Sequence, residues 1–346
     1  MGFTNRGVFT LGGQNTSGVN TFANNIILGW TANRGKGVTL VSAPGGEVDF
    51  TGNLLANGTD NTAGITVGNT NFTGLVKLTG TNTYAGPTII NAGTLALANN
   101  GVNDAYIGNS TAIAIGAGAT LDVTSQSSEN QIFALGSNTV SQVLSGAGTL
   151  NGSLGVGSLG TVARGSSMTT GVLTVNNNVT LGGSVVLKLN NLGTPTNDDL
   201  VVNGTLTGGG VLTVTNVGPA LVPGSTFHLF SQAVTGFGTV TLPVSDNNHN
   251  YVWNNQLSAN ATIVLTSSTL AISTNAATAH FKALALGNTL QFNWAPDHQS
   301  WQLYTNSVAL TLTNAWYPVS GSASTTNETI TVNPNQPQVF FQLRYP

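Results

Sequence analysis

Apolar and polar residues alternate along this chain in runs of three to five, and most runs stop at glycine or asparagine. Val38-Thr39-Leu40-Val41, Glu47-Val48-Asp49-Phe50, Ile65-Thr66-Val67, Leu75-Val76-Lys77-Leu78, Ile113-Ala114-Ile115 and Leu121-Asp122-Val123 follow the pattern. Period-two alternation sends successive side chains to opposite faces, so each run predicts a short, half-buried strand. The bounding Gly and Asn tolerate the left-handed backbone that a tight corner needs. In Val185-Val186-Leu187-Lys188-Leu189 one face is Val185, Leu187 and Leu189, and Lys188 points the other way. Helical periodicity is nearly absent.

Short words recur: Gly-Thr-Leu at 93–95, 148–150 and 204–206, and Val-Leu-Thr-Val at 172–175 and 211–214. Such repetition fits a β-sandwich or a parallel solenoid. The run of units is long for one sandwich. Its inward residues are Leu, Ile and Val with Ala and Gly at corners, as stacked coils require. Asn-rich turns such as Asn176-Asn177-Asn178 suit side-chain ladders between rungs. The expected fold is therefore an all-β solenoid over residues 1–275, with rungs of roughly 20–30 residues.

Residues 75–97, which contain Thr-Asn-Thr-Tyr-Ala-Gly-Pro-Thr-Ile-Ile-Asn-Ala-Gly-Thr-Leu, resemble the autotransporter-associated β-strand repeat of bacterial passenger domains. Asn82, Tyr84, Gly86, Thr88, Asn91, Gly93 and Leu95 fall on that repeat's pattern. Residues 144–152, 163–167 and 199–204 are similar to later passenger coils. The resemblance implies a right-handed parallel β-helix, exported and displayed outside the cell. It implies no activity, because members share a scaffold and not a site.

After a linker-like stretch at 270–282 the character changes. Residues 283–346 hold three of the five Trp residues, Trp294, Trp301 and Trp316, and four further alternating runs. They predict a small antiparallel, sandwich-like β module, similar to one ending many large secreted repeat proteins of environmental Gram-negative bacteria. Trp294, Trp301 and Trp316, with Tyr304 and Tyr317, are candidate glycan-stacking residues. A module this small also needs such side chains for a core of its own.

Charge removes several function classes. Only 5% of residues are charged, the net charge is −3, and there is no cysteine. A phosphate backbone finds no basic patch, so no nucleic-acid partner is expected. No apolar run is long enough for a membrane helix. The first residues lack a signal-peptide pattern, so a secreted location would follow removal of an export signal absent from this chain.

Chemistry is sparse as well. Gly155-Val156-Gly157-Ser158-Leu159-Gly160 spells a dinucleotide fingerprint, but no helical pattern or acidic residue follows at the required spacing. Glu47 and Asp49 share one strand face, with Arg34 and Lys36 nearby in sequence, yet nothing assembles a cleft. Asp246 reads as a hairpin turn and Asp198 as a turn in the passenger pattern, while the four histidines have no paired spacing for zinc. No catalytic, cofactor-binding or metal residue is therefore assigned, and no enzyme activity is expected. The reading is an extracellular structural or adhesive solenoid that self-associates as a filament or surface-layer subunit, with Phe3, Val8 and Phe9 at the starting edge. The alternative is a polysaccharide-binding or polysaccharide-degrading β-helix.

Overall fold

The computed structural model describes residues 9–29, 37–58, 62–127, 131–136, 139–163, 169–246 and 249–345. Phe3, Val8, Arg34, Lys36 and residues 164–167 of the passenger-like stretch lie outside the described residues. The predicted parallel β-solenoid is present, and small antiparallel sheets follow it. By contacts the chain divides into two units, residues 1–243 with 253–266, and residues 244–252 with 267–346.

The first unit winds through three parallel sheets. One has ten strands, taken in chain order from Phe9–Gly13 and Val38–Ser42 to Val211–Asn216 and Thr239–Thr241. A second has eight, from Val19–Phe22 to Asp199–Val202, one from each of eight successive turns. The third has four, Ile132–Leu135, Ser153–Val156, Val179–Leu181 and Leu206–Gly208, and the first two turns add the pair Ile26–Leu28 and Leu54–Ala56. The strands proposed from alternation are there, Glu47–Phe50, Ile65–Val67 and Leu75–Leu78 among them.

Register explains the core. In the second sheet Val48, Val76, Leu95, Leu121, Leu150, Val175 and Val202 are successive partners, and all are buried. In the first sheet the same holds for Leu40, Val67, Ile90 and Ile115. Each such side chain contributes about 1.5–3 kcal/mol by leaving water. One aromatic step is included, where Phe22 and Phe50 stack at 5.0 Å and 13°.

Corners are packed as closely as the sheets. A Cβ on Gly86 would lie 2.3 Å from the backbone carbon of Ala63, so only glycine lets that turn sit on the one before it. Gly93 has φ +73°, the left-handed conformation that suits its corner. Gly-Val-Gly-Ser-Leu-Gly at 155–160 spans the ends of two strands, Ser153–Val156 and Gly160–Ala163, with no helix after it. Its glycines turn the solenoid, and a Cβ at Gly160 would meet the Leu135 carbonyl at 2.4 Å. Toward the end of this unit Thr226–His228 pairs antiparallel with Thr262, Ile263 and Val264.

The second unit contains two three-stranded antiparallel sheets. One orders Phe281–Leu286, Thr289–Trp294 and Asn327–Thr331; the other orders Tyr317–Pro318, Gln302–Asn306 and Phe340–Arg344. Between them Phe292, Trp294, Trp301, Leu303 and Leu343 form a core, flanked by Phe281, Leu290, Ile330 and Phe341. The stretch expected to be a linker makes contacts within this unit. The Ser273 N–H donates to the Asp297 carbonyl at 2.6 Å, Trp301 Nε1 donates to the Ser273 carbonyl, and Ala279 packs against the core. Asp246 lies in a hairpin, paired with His249, and accepts a hydrogen bond from the Tyr251 hydroxyl.

Candidate functional site

Three places gather the residues that the sequence singled out. The first is the repeat motif itself. Thr88 stands in the first sheet's inward column between Ile65 and Ile113, a hydroxyl among aliphatics. Its Oγ1 lies 2.7 Å from the Tyr84 hydroxyl and 2.9 Å from Ser110 Oγ, which donates to the Gly86 carbonyl at 2.9 Å. All three side chains are buried. Burial pushes the Tyr84 phenol pKa well above its ordinary value, although the bond to Thr88 works the other way.

The other motif residues are structural in identifiable ways. Asn82 is buried, accepts the Leu54 N–H at 2.9 Å and donates to the Gly80 carbonyl at 3.0 Å. Leu95 is a member of the second sheet's core column. Asn91 is exposed at its turn, and its backbone N–H donates to the Val67 carbonyl. The motif residues therefore tie one turn to the next.

The second place is the outward face of the second sheet. Thr94, Thr120, Thr149 and Thr174 are successive partners on four turns. Beside them runs a side-chain ladder. Asn203 donates to Asn176 at 2.9 Å, Asn176 to Asn151 at 2.6 Å, and Asn151 to Asp122 at 3.3 Å. All donors point the same way, toward a carboxylate that only accepts. Asp122 Oδ1 is held in turn by the N–H and hydroxyl of Thr124. Asn178 links turns by a different route, accepting both the N–H and the hydroxyl of Thr205 at 2.9 Å.

One lysine pairs two carboxylates across successive turns. Glu47 and Asp49 share a strand face, as alternation predicts, and Lys77 on the next turn reaches both carboxylates at 3.1 Å. Burial opposes ionisation of Glu47, but hydrogen bonding to Asp49 and Lys77 and the lysine charge outweigh it, so its pKa lies below the ordinary value. At Asp49 burial and the neighbouring Glu47 prevail, and the pKa is raised. Burial also works against the Lys77 ammonium, yet its two carboxyl partners hold its pKa above the ordinary value.

Lys188 points off the core face, as its strand position requires, but it is buried as well. Its Nζ lies 3.6 Å from Asp198 Oδ2, which also accepts the Lys188 N–H at 2.9 Å; Oδ1 accepts the Gly171 N–H at 2.9 Å. Asp198 thus fixes the return of the chain between two strands. The only signal for this in the sequence is a lysine inside an otherwise apolar strand. Among the described residues no group of three His, Cys, Asp or Glu is placed to hold a metal ion.

The third place lies in the second unit. Trp294 and Trp301 are 6% and 2% exposed, and a ring buried in the core has no face to offer a sugar. Trp294 Nε1 donates to the His298 carbonyl at 3.1 Å, which fixes it further. Trp316 differs. It is half-buried, and the Arg344 guanidinium carbon stands 5.0 Å from its ring centroid and 4.8 Å from that of Tyr304. Sequence reasoning found Trp316 and Tyr304 as aromatics but missed Arg344, which only the pairing of Gln302–Asn306 with Phe340–Arg344 brings to them.

No family model matches the chain, and neither does any curated protein or solved structure.

Proposed function

We propose that this chain is a non-enzymatic, passenger-type β-solenoid that works outside the cell as a structural or adhesive element, its copies associating end to end. The observation that carries the reading is continuity. Inward columns of Val and Leu run through the turns, while the outward ladder links four of them by side chains. Load applied to one turn is shared with its neighbours through both sets of contacts, as in other quasi-one-dimensional proteins.

Exposed apolar side chains support association. Val19 and Ile27 stand in water on the turn that holds Val19–Phe22 and Ile26–Leu28, and covering such surface with another copy is favourable. With so few charges, little like-charge repulsion opposes approach.

Negative-stain imaging of the full chain over a range of concentrations tests this. End-to-end strings that lengthen with concentration are expected; dispersed monomers at the highest concentration would overturn it.

A second reading, contact with polysaccharide, is favoured by one observation. The cluster of Tyr304, Trp316 and Arg344 puts aromatic rings and a cation on a half-exposed surface. Such a surface suits binding and not cleavage, since hydrolysis of a glycosidic bond needs two carboxyls flanking it.

A further inference from the structure

Arg344 is a cation with no anion beside it among the described residues. Among the described residues the ion pairs join Lys77 to Glu47 and Asp49, Lys188 to Asp198, and His298 to Asp297, and none includes Arg344. Instead its guanidinium is placed by neutral groups. Nε and Nη2 donate to Gln342 Oε1 at 3.1 and 2.9 Å, and the rings of Tyr304 and Trp316 stand within 5.0 Å of its central carbon. A guanidinium has five N–H donors. Two go to Gln342, and the other three make no hydrogen bond among the described residues.

The arrangement has the parts of an anion receptor. The rings and Gln342 hold the planar fork in one orientation, which lowers the ordering cost of binding. A planar carboxylate matches that fork with two parallel hydrogen bonds, and a point cation could not. The half-buried Trp316 adds apolar surface beside the charge, suited to the C–H face of a sugar ring. We propose that Arg344, held between Tyr304 and Trp316, binds the carboxylate of a uronic-acid-containing polysaccharide. The proposal rests on the polysaccharide reading above and specifies its ligand class.

The test uses the full chain on immobilised polygalacturonate at about 0.15 M salt, where loose electrostatic attraction is screened beyond roughly 8 Å. Neutral galactan and dextran sulfate serve as comparison polymers. Retention on polygalacturonate is expected, about tenfold weaker for Arg344→Gln, as fits loss of a charged hydrogen-bond donor. Lys282→Gln, which removes an exposed cation of the same unit, is expected to bind like the wild type. Coincident melting curves establish that the variants fold. Should Arg344→Gln not fold, Arg344→Lys keeps the charge, loses the fork and is expected to bind severalfold more weakly. Undiminished binding by the folded Arg344 variant overturns the proposal. Equal or tighter binding to galactan or dextran sulfate removes the uronate assignment and leaves the polysaccharide reading standing. Binding to none of the three removes both.

Discussion

The Tyr84 hydroxyl meets the Thr88 hydroxyl at 2.7 Å within the buried interior of the solenoid. Thr88 occupies a place where its neighbours along the column are isoleucines, so its hydroxyl needs a partner there and Tyr84 supplies one. Ser110, from the following turn, completes the chain of hydroxyls.

That coupling is measurable. Tyr84→Phe is expected to cost about 1 kcal/mol, and Thr88→Val about 1–3 kcal/mol because it strands the phenol. The double variant is expected to cost less than the sum, by at least 0.5 kcal/mol or so, since removing both partners leaves nothing unsatisfied between them. Urea unfolding of the four proteins decides it, and strict additivity would contradict a direct bond.

The ladder is expected to fail at its middle. Asn176 is both donor to Asn151 and acceptor from Asn203, so Asn176→Ala removes two links at once. A loss of about 1–2 kcal/mol is expected by denaturant unfolding. Asn177→Ala, at a neighbouring turn position outside the ladder, is the control.

Lys77 gives a pH signature. Its raised pKa means that its contribution is fully present below the ordinary value of 10.5 and is lost as pH rises through the higher folded value. Glu47, with a lowered pKa, contributes above 4.5 and loses that contribution as pH falls through its depressed folded value. Asp49, with a raised pKa, has the opposite sign and offsets part of the acid limb. Lys77→Met, which keeps most of the stem, is expected to cost about 1 kcal/mol near neutrality. Melting curves of both proteins should converge as pH climbs past 10.5. A constant gap through that region would mean that the ammonium is not the source.

Gly86→Ala probes the stacking distance. The new methyl would meet the Ala63 backbone at 2.3 Å, and backbone cannot swing aside as a side chain would. A cost of about 2–3 kcal/mol is expected. Gly58→Ala, where the structure leaves open space, is expected to change stability by less than about 0.5 kcal/mol.

Alternation made the solenoid strands legible because each face is decided locally: Glu47 and Asp49 outward, Val48 and Phe50 inward. The Asn-rich turns at 176–178 likewise pointed to ladders, since only stacking brings amides from different turns together. The recurring words are less informative about register. Gly-Thr-Leu at 93–95 and 148–150 occupies one sheet, with Leu121 standing between Leu95 and Leu150, but Leu206 of the third copy lies in another sheet. Val-Leu-Thr-Val is likewise found in two different sheets. Composition could not sort the tryptophans either. Trp294 and Trp301 face the core, while Trp316 faces Arg344, and that distinction depends on how two sheets close on each other. Asp198 reads from the sequence as a turn residue, but not its partners: Lys188 lies ten residues back across the chain's return, and Gly171 reaches it from 27 residues away.

Turn length varies far more than register does. Successive partners in the first sheet are 31 residues apart from Ile113 to Leu144 and only 18 apart from Leu144 to Val162. Both pairs still align inward in the same column. Extra residues must therefore be accommodated in the connections, and the hydrocarbon seam is indifferent to them. An evolving lineage can add or trim peripheral segments on this frame, and so acquire new recognition surfaces, without renegotiating how its interior fits together.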